Sequence, residues 1–122
     1  MILAVVGSRT WSDRERVFAE IAKANPSEIV SGGAVGPDSF AEEWARQNNI
    51  PVTVFKPDWD KHGKSAGFVR NKQIIDKADY VLAFWDGKSR GTAHSISLAK
   101  KARKFLYVIE PLKQSPKEAK EE

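Results

Sequence analysis

The chain has 122 residues, 41% hydrophobic and 30% charged, with a formal net charge of +4 at pH 7. That length suits one domain able to bury a core without staples, and the absence of cysteine excludes a disulfide framework, thiolate chemistry and Cys-based zinc binding, in keeping with a cytoplasmic protein. No apolar run approaches the ~18 residues of a membrane span, and the opening MILAVVGSRT lacks the basic start and long apolar stretch of a signal peptide.

The first element, ILAVVG (2–7), is a continuous apolar run, as in a strand buried on both faces. A helix is expected over 12–24, with Ser12 as its cap, Glu15 at capping-box spacing, and Val17, Ile21 and Ala24 on one face. EIVSGG (28–33) is a second strand, and 38–49 a second helix whose apolar side carries Phe40, Ala41, Trp44 and Ala45. PVTVFKP (51–57) is a third strand stopped by Pro57, and 58–67 reads as irregular. A third helix (68–78), a fourth strand (79–87), a fourth helix (92–103) and a fifth strand (105–110) ended by Pro111 complete the pattern. The expected domain spans 1–112. The tail, 113–122, is polar, mixed in charge and without periodicity, and is expected to be disordered.

Strands alternating with helices predict an α/β fold. Its expected form is a Rossmann-like, doubly wound, mainly parallel five-stranded sheet with helices on both faces. Ligands of such sheets bind at the carboxyl ends of the strands, where the strand order reverses. Small residues, hydroxyls and bases gather in the loops at that edge: Gly7-Ser8-Arg9, Ser31-Gly32-Gly33 with Gly36 and Asp38, and Gly91-Thr92.

Either glycine pair alone is explained by a tight turn. Two at one edge, each before a helix, suit an anion approaching unpaired N–H groups without a Cβ in the way. Arg9, Arg70 and Arg90 would add charge-assisted bonds. Neither a Walker A motif nor a Gly-x-Gly-x-x-Gly fingerprint is present.

Trp44 reads as core, whereas Trp11, Trp59 and Trp85 fall at the loop edge, where each either caps the core or stacks on a base. His62 and His94 are possible acid–base groups, and neither has a second histidine at metal-ligand spacing, so no metal and no cofactor are expected. Asp38, Asp58, Asp60 and Asp86 are the carboxylates to consider, Asp38 being equally well explained as the N-cap of the second helix.

Taken in order, VVGSRTWSD, SGGAVGPDSFAEEWA, FKPDWDKHGKSAGFVRNKQII and AFWDGKSRGTAHSI resemble the YspA-like branch of the SLOG superfamily. That superfamily also holds the LOG phosphoribohydrolases and the DNA-processing protein DprA. The resemblance covers residues 1 to about 110. It implies a Rossmann-like fold that binds nucleotides or nucleotide-derived ligands through the Gly-Ser-Arg, Ser-Gly-Gly and Gly-Thr loops, and it implies a homo-oligomer.

LOG enzymes cleave nucleoside 5′-monophosphates at the N-glycosidic bond. They carry an arginine on the helix before the fourth strand and a Pro-Gly-Gly-x-Gly-Thr-x-x-Glu motif after that strand. Arg70 matches the arginine, and Gly91 and Thr92 match the Gly-Thr. The glutamate position falls on Ser95, and Asp86-Gly87 stands where Pro-Gly begins. A carboxylate would stabilise the developing oxocarbenium or activate water, and serine does neither well.

The expected ligand-binding set is Gly7, Ser8, Arg9, Ser31, Gly32, Gly33, Gly36, Asp38, Trp59, Arg70, Asn71, Trp85, Gly91 and Thr92. Arg70, His94 and Asp86 would be catalytic only in an enzyme. The leading reading is a sensor or sequestering protein for a nucleotide-derived small molecule, with no membrane association. A LOG-like N-glycosidase or other nucleotide hydrolase ranks second. A DprA-like single-stranded DNA binder ranks third, because the basic residues form no stripe and nucleic acid is not the expected partner.

Overall fold

A computed structural model describes residues 1–111 of the chain. The strands are β1 (Ile2–Gly7), β2 (Glu28–Ser31), β3 (Val52–Val54), β4 (Tyr80–Phe84) and β5 (Phe105–Ile109). The helices are α1 (Arg14–Ala24), α2 (Pro37–Gln47), a single-turn α3 (Trp59–His62), α4 (Ala66–Lys77) and α5 (Arg90–Lys101). The tail assigned to 113–122 lies outside the described residues.

The sheet runs β3-β2-β1-β4-β5, and every neighbouring pair is parallel. The expected fold is therefore present, with all of its five strands parallel rather than most. Strand side chains alternate between two apolar layers, as the period of two demands. Leu3, Val5, Ile29, Leu82 and Phe84 meet Val17 and Ile21 of α1 and Ala41 and Ala45 of α2. Ala4, Val6, Val30, Val81 and Ala83 meet Ile74 and Ile75 of α4 and Ile96 and Ala99 of α5. Helices thus cover both faces. Trp44 packs partly buried against the first layer, as its place on the apolar side of α2 predicts.

Several local readings are corrected. Asp13, not Ser12, caps α1: its carboxylate accepts from the Arg16 N–H at 3.0 Å. Asp38 does not cap α2. That role falls to Gly36 at φ +89°, and Pro37 supplies the first helical residue with its φ already set. The stretch 58–67 is not irregular but holds α3, capped by Asp58, and a 3-10 turn over Gly63–Ser65.

Helix α5 begins at Arg90, two residues before the expected start, because the Ser89 hydroxyl caps it by accepting from the Thr92 N–H. Of the two readings open for Trp11, capping of the core is the one the structure has. Trp11 is 5% exposed, with its ring 5.2 Å from that of Phe84 and its indole N–H donated to the Asp13 carbonyl. Gly7 is glycine because of packing: a Cβ there would sit 2.4 Å from Pro37 Cγ and 2.8 Å from the Phe84 carbonyl, so β1 and α2 touch at this point.

Candidate functional site

From β1 the chain crosses to β2 and β3 on one side, then returns past β1 to β4 and β5 on the other. The carboxyl ends of β1 and β4 therefore diverge into loops that leave a crevice between them. A cleft of about 370 Å³ lies there. Its walls come from Gly7, Arg9 and Thr10 after β1, Ala34 and Asp38 at the start of α2, and Arg70, Asn71 and Ile74 on α4. Asp86, Ser89, Gly91, Thr92 and Ser95 close it from the β4–α5 side.

Asp38 organises the glycine loop from inside. Its Oδ2 accepts the Gly32 N–H at 2.8 Å and the Ala34 N–H at 3.4 Å. The N–H groups that would greet an anion here are thus already held by one belonging to the chain. Burial pushes the Asp38 carboxyl up to about 6, against the opposing pull of those N–H groups and of the Arg70 guanidinium.

At position 32 the side-chain space is occupied by the ends of two side chains, so a Cβ would displace the Arg70 guanidinium. A Cβ would lie 2.5 Å from Arg70 Nη1 and 3.0 Å from Asp38 Oδ2. Arg70 Nη1 donates to the Gly32 carbonyl at 2.7 Å, and its Nε donates to Asn71 Oδ1 at 3.0 Å. Asn71 in turn reaches the Gly91 carbonyl at 3.4 Å and His94 Nδ1 at 3.2 Å. A hydrogen-bonded chain therefore runs across the cleft floor from the β2 loop to the first turn of α5.

Asp86 organises the opposite loop. Its Oδ1 accepts the N–H groups of Lys88 and Ser89, both at 2.8 Å, and its Oδ2 accepts the Thr10 hydroxyl at 2.9 Å. These bonds hold its carboxyl down at about 2. A group so firmly ionised carries no proton near neutrality, which fits a loop bracket better than an acid or base. The buried Ser8 hydroxyl accepts the Asp86 N–H at 3.1 Å, joining the β1 and β4 loops.

At the start of α5 the N–H groups of Arg90 and Gly91 have no protein partner among the described residues, as the geometry of a first helical turn dictates. Nothing lies within 4 Å of the place a Gly91 Cβ would take. One turn further, the Ser95 side chain is 2% exposed and lines the cleft, and its hydroxyl has no hydrogen-bond partner among the described residues. Asp38 Oδ1 likewise has none.

Other expected residues stand apart from the cleft walls. Trp59 is 58% exposed on α3. Trp85 packs on the second apolar layer and donates its indole N–H to the Ser89 carbonyl. The Ser31 hydroxyl donates to Glu42 at 2.8 Å, Gly33 approaches Val54 and Lys56, and Gly36 faces the Ser8 carbonyl. His94 packs at a tilt against Phe68, with ring centroids 4.4 Å apart, and partial burial lowers its pKa. It supports Asn71 from behind rather than lining the cavity.

Val6, Thr10, Ala34, Ile74, Ser89 and Ser95 line the cleft without belonging to the expected ligand-binding set. For Ser95 a signal existed, since positions 91, 92 and 95 share one helical face. Among the described residues no three His, Asp or Glu side chains converge to hold a metal ion, and no helix is long and apolar enough to cross a membrane.

Three comparisons bear on this arrangement. The family model described as YAcAr, the YspA, cpYpsA-related SLOG family, matches residues 1–62. The Gene 61 protein of Mycobacterium phage D29 is 39% identical over 109 residues, covering 80% of this chain and 87% of that protein. DNA processing protein A from Helicobacter pylori, solved for its single-stranded DNA binding mode, superposes with a TM-score of 0.74 and 26% identity. That match covers 93% of this chain and 66%, a little under two thirds, of the other. The Rossmann-like sheet, the ordered loops at its carboxyl edge and these matches place the chain in the YspA, cpYpsA-related SLOG family.

Proposed function

We propose that the chain binds a nucleotide or nucleotide-derived ligand in the cleft and acts as a sensor or sequestering protein. The observation that carries this reading is the start of α5, where the Arg90 and Gly91 N–H groups have no partner among the described residues and Gly91 and Thr92 line a cleft that also holds Arg70 and Arg9. The phosphate belongs at this end. The Gly32 loop suits it less, because the Asp38 carboxylate already fills that place and would repel a second anion. Asp38 Oδ1 and the Ser95 hydroxyl are then free to meet polar groups on the rest of the ligand.

The test is mass spectrometry on the purified protein after incubation with nucleoside monophosphates, NAD-derived compounds and cyclic nucleotides. An intact compound released only on denaturation supports the proposal, and failure to retain or consume any of them refutes it. Arg70→Ala should weaken binding of a retained phosphorylated compound by about ten- to a hundredfold, the worth of one charge-assisted bond, and leave its nucleoside unaffected. Equal losses for both would remove Arg70 from phosphate binding.

Two observations favour further readings of the same cleft. Asp38, the wall carboxyl whose pKa sits nearest neutrality, would carry the proton in an N-glycosidase, and appearance of free base in the incubation supports that enzyme. The likeness to the single-stranded DNA-binding protein of Helicobacter pylori favours an oligonucleotide. Affinity that climbs with strand length and falls steeply with salt would support that reading over a mononucleotide.

A further inference from the structure

We infer that the outer edge of β5, unpaired among the described residues, is a self-association surface, on which a second copy of this chain pairs β5 antiparallel to β5. The two edges of the sheet differ sharply. Strand β3 has only three residues and lies between Pro51 and Pro57, which limits pairing at that edge. Strand β5 is Phe-Leu-Tyr-Val-Ile, with no charge, proline or bulge within it. Phe105 is 80% exposed and Tyr107 44%, on the same sheet face as α1. An uninterrupted apolar edge of this kind is a template for another strand.

The occupant follows from pairing geometry and charge. Ile109 gives its carbonyl to the Trp85 N–H of the β4 side, so by alternation the N–H and C=O of Leu106 and Val108 point away from the sheet. Antiparallel pairing about a two-fold axis at Tyr107 sets Leu106 opposite Val108 of the second copy, so that outward groups bond outward groups. The same register sets Lys104 opposite Glu110 at both ends, giving two opposite-charge pairs across the interface. Tyr107 then faces its own copy, and Phe105 meets Ile109. An isologous contact requires this self-complementarity. Residues 112–122 of the same chain are a poor alternative cover, since Leu112 and Ala119 are their only residues with apolar side chains besides Pro116.

The test uses the full chain and light scattering coupled to size exclusion at several concentrations. Wild type is expected at twice the 13.6 kDa chain mass. Val108→Pro removes an outward N–H that β4 does not use and should give a monomer with an unchanged circular dichroism spectrum. Lys104→Glu should raise the dimer dissociation constant about tenfold at low salt, from two reversed pairs, and Lys104→Glu with Glu110→Lys should restore it. Glu110 is exposed and Lys104 partly so, its Nζ lying 3.5 Å from the Asp76 carbonyl, and neither side chain belongs to the buried core, so this pair decides the matter even if Val108→Pro fails to fold. A wild-type monomer at the highest soluble concentration overturns the inference. So does a dimer indifferent to Lys104→Glu, which would assign assembly to another face such as that around Trp44.

Discussion

The Asp38→Asn variant offers a quantitative test of the cleft. Asparagine keeps an oxygen for the Gly32 N–H but removes the buried charge. In the wild type the carboxyl is lifted from 3.8 to about 6, so between those values the folded chain holds a proton that the unfolded chain has released. Folding stability contributed by this group is therefore highest below about pH 4 and is lost as pH rises through about 6. At about 1.4 kcal/mol per pH unit, the full loss is about 3 kcal/mol. The variant lacks this term. Urea unfolding followed by tryptophan fluorescence, at intervals from about pH 4 to about pH 7, gives both profiles. The variant should gain on the wild type by up to about 3 kcal/mol across that range. Other carboxylates titrate in both proteins and cancel in the difference. Parallel profiles would refute the buried-carboxylate account, and with it the argument that an internal anion occupies the Gly32 loop.

Two glycine substitutions separate ligand binding from folding. Gly91→Ala has open space for its Cβ and a backbone outside the left-handed region. It should leave the thermal midpoint within a degree or two, or raise it slightly, as alanine favours a helix by about 1 kcal/mol. Isothermal titration should nevertheless show weaker binding of a phosphorylated ligand, because the methyl group intrudes where the phosphate would approach. Gly7→Ala should do the reverse of a neutral change. Its Cβ collides with Pro37 and with the Phe84 carbonyl, and a loss of about 3 kcal/mol or more in chemical denaturation is expected from overpacking against backbone.

The fold was legible because its signals were periodic and redundant. The five apolar runs and the intervening helical spacings each had enough residues to reveal their period, and alternation between them leaves few topologies. Errors fell at boundaries, where one side-chain bond decides the outcome. Ser12 and Asp13 both suit a cap, and the helix starts one residue later because the Asp13 carboxylate takes the Arg16 N–H. Ser89 starts α5 early for the same local reason. For Trp11 a loop position in sequence left two readings open, because it says nothing of direction, and the ring turns inward onto Phe84.

The candidate cleft was legible as a cluster of residues but not as a set of contacts. Gly32, Asp38, Arg70, Asn71 and Gly91 were all singled out, and contact between them is what sequence spacing could not supply, since Arg70 lies 38 residues from the carbonyl it binds. That contact changes the meaning of the glycines. Gly32 reads as room for a ligand's anion, yet the room is taken by Asp38 and Arg70. Gly91 reads the same way, and there the room is open. Two loops with one sequence signature therefore differ: one is filled from within and holds Arg70, and the other leaves the Gly91 N–H beside the cleft without a partner among the described residues. A ligand with phosphate at one end and hydrogen-bonding groups at the other would match both halves, with Asp38 facing the second. Protonation of Asp38 near pH 6 would weaken its repulsion of that phosphate, so binding should tighten as pH falls toward 6, and Asp38→Asn should bind as tightly at pH 7 as the wild type does once protonated. A wild type and variant with the same pH profile of affinity would place the ligand out of reach of Asp38.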